Sequence, residues 1–227
     1  MKKCLLLPAG LFVMANLLAQ REDVRTLEPF DKISVFGNIE VELIKGDAEK
    51  LIASSAEIDL SKISSRVEKE ELKINMTSDL FRSSQKVRIR IYYKNFVAIS
   101  STGGANIFSE PVIKGERLDL HAASGGNITL DIDLKQLEAS VGEGSVITLN
   151  GNVGYQKVTA TSGGAYSAFE LIGDDAVVKA NTGGKIKVYA GHLLDATAST
   201  KGYVGYRGSP EKTNFSSNLG GEIKADE

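Results

Sequence analysis

Four stretches and two histidines of this chain carry residue types that could do chemistry. Gly142-Glu143-Gly144 and Gly183-Gly184-Lys185 offer backbone amides of the kind that cradle phosphate. A phosphate loop also needs a set glycine spacing and a helix opening behind it, so that several N–H groups and the helix dipole converge on one anion. Neither stretch has that spacing or precedes a helical pattern, and both read as structural turns. Asp131 with Asp133, and Asp174 with Asp175, could give oxygen ligands to calcium. They do not recur at a fixed offset, as the aspartates of calcium-binding repeats do, and read as solvated loop carboxylates. His121 lies between Leu120 and Ala122, hence on the outer face of a strand that buries those two, and His192 lies in a turn. Neither has the nucleophile and orienting partner that acyl-transfer or related chemistry needs. The sequence therefore assigns no catalytic residue, no metal ligand and no cofactor site.

What would have to position such residues is a repeat. A turn signature recurs as Thr102-Gly103-Gly104, Ser124-Gly125-Gly126, Gly142-Glu143-Gly144, Ser162-Gly163-Gly164, Thr182-Gly183-Gly184, Thr200-Lys201-Gly202 and Leu219-Gly220-Gly221. The last glycines are 22, 18, 20, 20, 18 and 19 residues apart. A period near 20 residues marks a repeat architecture. Two positions after the last glycine stand Ile128, Val146, Tyr166, Ile186, Val204 and Ile223, with Asn106 the exception; two further on come Phe108, Leu130, Ala168, Val188 and Tyr206. Alternation of period 2 buries one face of a strand. Before the turn, Leu120, Val158, Val178, Ala196 and Phe215 lie six positions ahead of the last glycine, and Ala122, Ala160, Ala180, Ala198 and Ser217 four ahead. Each copy is strand, turn, strand. One copy cannot bury its apolar face alone, whereas stacked copies bury a continuous strip.

These features predict an all-β fold, a right-handed parallel β-helix with coils of about 20 residues. The alanine row suits a narrow interior beside a sharp corner, the corner glycines are expected at positive φ, and the Ser and Thr hydroxyls beside them are expected to satisfy turn amides. Apolar residues midway between turns, at Ile113, Ile132, Leu134, Val153, Leu171, Ile172, Leu193 and Leu194, suggest a third, shorter side.

Residues 1–20 read as a secretory signal peptide: Lys2 and Lys3, an apolar run from Leu5 to Leu18, then Ala19. Cys4 is the chain's one cysteine and precedes that run, so the exported chain would have no disulfide, and stacking must hold it together. Formal charge is −2, or about −4 without Lys2 and Lys3, which excludes the basic balance of a nucleic-acid binder. No second apolar run has membrane length. Residues 21–100 are strand-rich with different punctuation, including the alternation of Val87, Ile89, Ile91 and Tyr93. They are expected to cap the solenoid, either as broader coils or as antiparallel strands. Residues 101–227 form the regular coils, the whole of 21–227 being one domain.

The order Phe30-Asp31-Lys32-Ile33-Ser34-Val35, Asp59-Leu60, Leu72-Lys73-Ile74, then Val87 to Ile91 running into Ile99-Ser100-Ser101-Thr102-Gly103-Gly104, resembles the auto-transporter adhesin head domain called GIN, or DUF2807. Gly202-Tyr203-Val204-Gly205-Tyr206 and Leu219-Gly220-Gly221-Glu222-Ile223 are similar to its closing pattern. The resemblance implies export by Bacteroidetes-type bacteria, a β-helical body and no catalytic residues. The chain departs from the family's name in showing no C-terminal barrel.

Outward positions carry the remaining functional signal. Asn127, Thr129, Ser145, Ser167, Lys185, Lys187, Tyr203 and Lys224 should align on one flat polar face, where a tyrosine supplies a rigid stacking surface. Three classes of function follow: an exported, adhesin-like contact module for glycan or protein, in the periplasm, at the outer membrane or outside the cell; a polysaccharide-processing β-helix enzyme, which needs carboxylates and cations on one face; or a binder of envelope lipid, which needs an apolar cavity. The solenoid end, closing with Lys224, Asp226 and Glu227, leaves a monomer or a weak homo-oligomer.

Overall fold

A computed structural model describes residues 21–56, 58–77 and 87–226; the proposed leader, residues 1–20, lies outside them. The described N-terminal part contains β1 (Arg21–Thr26), β2 (Lys32–Phe36), β3 (Ile39–Lys45), β4 (Lys50–Ser55), β5 (Ile63–Glu68), β6 (Glu71–Met76) and β7 (Val87–Tyr93). The repeats contain β8 (Ala98–Thr102), β9 (Asn106–Phe108), β10 (Ile113–Ala123), β11 (Asn127–Val141), β12 (Val146–Ala160) and β13 (Ala165–Ala168). They continue through β14 (Leu171–Ala180), β15 (Lys185–Tyr189), β16 (Leu193–Ala198), β17 (Tyr203–Arg207), β18 (Lys212–Ser217) and β19 (Glu222–Ala225). Two parallel ladders run down a β-solenoid of about seven turns. Face A stacks β9, the first halves of β11 and β12, then β13, β15, β17 and β19. Face B stacks β8, the second halves of β10, β11 and β12, then β14, β16 and β18.

The turns joining face B to face A have two special positions. The N–H of Gly126 bonds the carbonyl of Ala123 at 3.0 Å, and the same three-residue step closes at Ser145, Gly164, Gly184, Gly202 and Gly221. Between the bonded residues both backbones are left-handed, for instance Ser162 (φ 50°) with Gly163 (φ 74°) and Thr200 (φ 49°) with Lys201 (φ 60°). Positive φ at both central residues defines the type I′ turn. Gly104 (φ 86°) and Gly144 (φ 69°) take positive φ, but in the other five copies the last glycine of the signature does not, contrary to the sequence expectation. It is required for a different reason: a Cβ on Gly164 would stand 2.6 Å from the Val141 carbonyl oxygen of the coil before. The turn amides are satisfied by carbonyls of the following turn, as Gly163 N–H to Thr182 at 3.2 Å and Gly183 N–H to Thr200 at 3.0 Å, and not by the hydroxyls.

This geometry also corrects the repeat register in two copies. The residue closing the turn is Ala105 in the first and Ser145 in the third, each one place beyond the last glycine. Counted from there, the first inward row of face A is Ile107, Ile128, Ile147, Tyr166, Ile186, Val204 and Ile223, apolar throughout and paired in that order. Asn106 is then no exception, and Val146 points outward, 36% exposed. Phe108 likewise leaves the inward set, in register with Thr129. On face B the small row reads Ser101, Ala122, Val141, Ala160, Ala180, Ala198 and Ser217.

The third side exists in the upper coils, where Ile113, Ile132, Gly151 and Leu171 pair in sequence. Ile172 falls outside it, 48% exposed. The core holds one polar relay: the buried Tyr166 hydroxyl donates to Gln156 Oε1 (2.9 Å), and Gln156 Nε2 donates to the Tyr189 carbonyl (3.1 Å). Burial pushes the Tyr166 phenol far above its usual range, which keeps it a neutral donor.

The described residues between 21 and 100 form coils and a cap together. β2 and β3 form a coil whose strands pair in parallel with β8 and β9 on one side and with β6 and β7 on the other. The β6–β7 coil thus lies outside β2–β3 although it comes later in the chain. Beyond it β5 joins β6, β4 joins β7 and β1 joins β4, all antiparallel. Reversing the strand direction ends the parallel ladder.

Candidate functional site

The outer surface of face A carries two straight rows. One runs Asn106, Asn127, Val146, Ala165, Lys185, Tyr203 and Glu222; the other Phe108, Thr129, Thr148, Ser167, Lys187, Gly205 and Lys224. Asn127, Thr129, Ser167, Lys185, Lys187 and Tyr203 therefore share one face. Ser145 does not join them: it is the fourth residue of its turn, fully buried, and its hydroxyl has no partner.

The lower half of this face has a shape of its own. Gly205 leaves a gap in the second row, and the Tyr203 side chain lies across it, since a Cβ on Gly205 would sit 3.0 Å from the phenolic oxygen and 3.1 Å from ring carbon Cε1. The hydroxyl donates to Asp226 (3.2 Å). Partial burial first, and the Asp226 carboxylate second, raise the Tyr203 pKa and hold it neutral. Beside it the Arg207 guanidinium stacks 4.5 Å above the Phe169 ring, with the Lys187 ammonium 5.5 Å from the same ring. Such pairs fix long cationic side chains against aromatic surface. The patch combines an aromatic ring lying along the sheet with Lys185, Lys187 and Arg207.

Face B brings together a cluster that sequence reasoning missed. Asp119, Glu138 and Lys157 are in register on successive coils. Arg117 holds Asp119 through two nitrogens (2.9 and 3.3 Å) and reaches Glu138 (3.1 Å), while Lys157 reaches Glu138 (2.8 Å). The hydrogen bond from Lys157 is the main cause that lowers the Glu138 pKa. A general acid needs the opposite shift, as burial or a like charge produces. The chemistry open to this cluster is charge pairing.

The other candidates remain apart. His121 is exposed on face B in register with Ser100 and Ser140. His192 Nδ1 lies 2.7 Å from Asp175, in a corner facing solvent. Asp131 accepts from Asn150 (2.8 Å), and Asp133 lies 3.6 Å from Lys114. Glu143 accepts from the Ser124 hydroxyl (2.6 Å), so the Gly142-Glu143-Gly144 turn presents a carboxylate. Among the described residues no three His, Cys, Asp or Glu side chains converge as metal ligands, and no helix is long and apolar enough to cross a membrane.

A solenoid with corner glycines and an antiparallel cap defines a class of repeat scaffolds that display faces. The chain belongs to the family described as "Putative auto-transporter adhesin, head GIN domain", whose model matches residues 29–210. Among curated proteins none matches the sequence. Solved structures share the fold. A "putative adhesin" from Bacteroides fragilis NCTC 9343 superposes with a TM-score of 0.80 at 19% identity, covering 91% of this chain and 97% of that one. A "putative lipid binding protein" from Parabacteroides distasonis ATCC 8503 gives 0.69 at 21% identity, covering 92% and 97%. A "putative adhesin" from the same organism gives 0.67 at 17%, covering 91% and 97%.

Proposed function

We propose that this protein is an exported, adhesin-like module that binds glycan by contact, without turning over a substrate, through the outer surface of face A. The observation that carries the reading is Tyr203 laid along the sheet over Gly205. A flat ring stacks on the apolar face of a sugar at low entropic cost, and the flanking Lys185, Lys187 and Arg207 can donate hydrogen bonds to hydroxyls or acidic substituents. Protein contact is the companion reading for the same surface, since aromatic and arginine anchors also dominate protein interfaces. Export rests on the pattern of residues 1–20, and the family's adhesin description supports display at the cell surface.

The enzyme alternative has its best case on face B, where Asp119 and Glu138 stand on adjacent coils. Their mutual neutralisation by Arg117 and Lys157 argues against proton transfer there. The name of the Parabacteroides distasonis neighbour supports a lipid reading, but the inward row is closed to solvent, with Ile128, Ile147, Ile186 and Val204 fully buried. The test is a glycan panel probed with wild type and Tyr203→Ala. Binding by the first that is lost in the second, with unchanged melting, is expected; equal binding by both would remove face A from the account.

A further inference from the structure

A second candidate site follows from the way the third side begins. β3 and β7 leave their ladders at Lys45 and Tyr93, where the Gly46 N–H bonds the Tyr93 carbonyl at 2.9 Å. The third side starts only at Ile113, so these two earlier coils contribute no strand above it. The chain from β7 to β8 passes beside that ledge through Asn95 and Phe96. A recess of about 250 Å³ results, between the capping region and the regular coils.

Its lining is selective. Tyr93 and Phe96 meet edge to face with centroids 4.6 Å apart, and with Ile113 they form an apolar floor. Lys45, Lys114 and Asn95 line the same recess. Lys114 has only an exposed pairing with Asp133 at 3.6 Å, of the kind worth little in water. Lys45 has no carboxylate partner among the described residues. The recess therefore carries the unpaired Lys45 charge and the weakly paired Lys114 charge over an aromatic floor, and burial raises the Tyr93 pKa, so that its hydroxyl stays a neutral donor.

We propose that this recess binds a small ligand bearing one carboxylate or phosphate on a compact body, the anion held by Lys45 and Lys114 and the body packed on Tyr93 and Phe96. Its volume lies near the lower end of ligand sites, which favours one sugar-sized unit over a chain. A uronate of a glycan and the phosphate of a lipid headgroup share this chemistry.

Calorimetry on the purified full chain would use D-glucuronate and glycerol 3-phosphate, with glucose as the neutral control. Flotation would use phosphatidylglycerol vesicles, with phosphatidylcholine as control. At least one acidic probe should bind, glucose should not, and the affinity should fall with added salt. Lys45→Gln with Lys114→Gln should weaken binding by about tenfold or more, as loss of charge-assisted bonds does. Both lysines are exposed, so melting should not change, and the paired Arg replacements should restore binding. Glucuronate binding alone assigns the site to acidic sugars; binding to phosphatidylglycerol and not to phosphatidylcholine assigns it to headgroups. Tyr203→Ala should leave the acidic probes unaffected, which separates this site from face A. Equal binding of glucose and glucuronate, no binding of any acidic probe, or an unchanged double Gln variant would overturn the proposal.

Discussion

The two broad faces of the solenoid are built from the same coils, yet one sets its cations among carboxylates alone and the other lays them on an aromatic ring. On face B, Arg117, Asp119, Glu138 and Lys157 satisfy one another. On the lower half of face A, Lys187 and Arg207 rest on Phe169, Arg207 also pairs with Glu170 (3.3 Å), and Tyr203 lies flat beside them. Paired charges on an exposed sheet contribute little to stability and leave little to offer a partner. Cations held over aromatic rings keep donors facing outward, and a ring along the sheet gives area. The difference teaches that function on a solenoid is read from how the outward rows are arranged, because inward rows are fixed by packing.

Both faces depend on the turn row, so the largest effect is expected there. Gly164→Val should destabilise by about 3 kcal/mol or more, since its side chain would collide with the Val141 carbonyl. Lys185→Val on the open sheet should change stability by only a few tenths. Thermal melts of the pair test this, and equal shifts would mean that the turn row is not the frame of both faces.

Next comes the core relay between the faces. Tyr166→Phe strands the Gln156 carbonyl group and should cost about 1–3 kcal/mol. Adding Gln156→Leu should recover only part of that loss in denaturant titration, because the stranded side-chain carbonyl is removed while the part-buried Tyr189 carbonyl loses its Gln156 donor. A third change sharpens the turn geometry: Thr182 is β-branched at φ 49°, and Thr182→Asn should stabilise by about 0.5–1 kcal/mol.

The smallest effect belongs to face B. Folding holds Glu138 ionised more firmly than the unfolded chain does, so its contribution is present above the unfolded carboxylate's titration and is lost as pH falls through the folded one. Glu138→Gln should therefore cost no more than about 0.5 kcal/mol at neutral pH and nothing in acid, as stability curves at the two pH values would show.

Much of the fold was legible in the sequence because turn spacing and period-2 burial report it directly. The slip of one residue in the first and third copies has a physical cause: two neighbouring turn positions both favour glycine, one for positive φ and the next for close backbone approach. Where only the first is glycine, as at Gly144 before Ser145, residue type alone cannot tell them apart. That slip also hid the face B cluster: counted from Gly144, Glu138 falls six positions ahead, at the offset of the inward row, and not level with Asp119 and Lys157. The N-terminal order was illegible for another reason. β2 pairs with β6 and β8, and parallel pairing between distant strands leaves no local signal. The face A rows could be aligned from the sequence, but Tyr203 lying across Gly205 depends on packing in three dimensions.

The central claim, contact without turnover, is tested most directly by incubating the purified protein with bacterial and host polysaccharides, with and without calcium. New reducing ends and unsaturated products would be followed over time, beside binding to the same polymers. The account predicts binding that Tyr203→Ala abolishes and no product from either protein. Reproducible product formation that persists in Tyr203→Ala and disappears in Asp119→Asn with Glu138→Gln would contradict it and move the working face of this protein to face B.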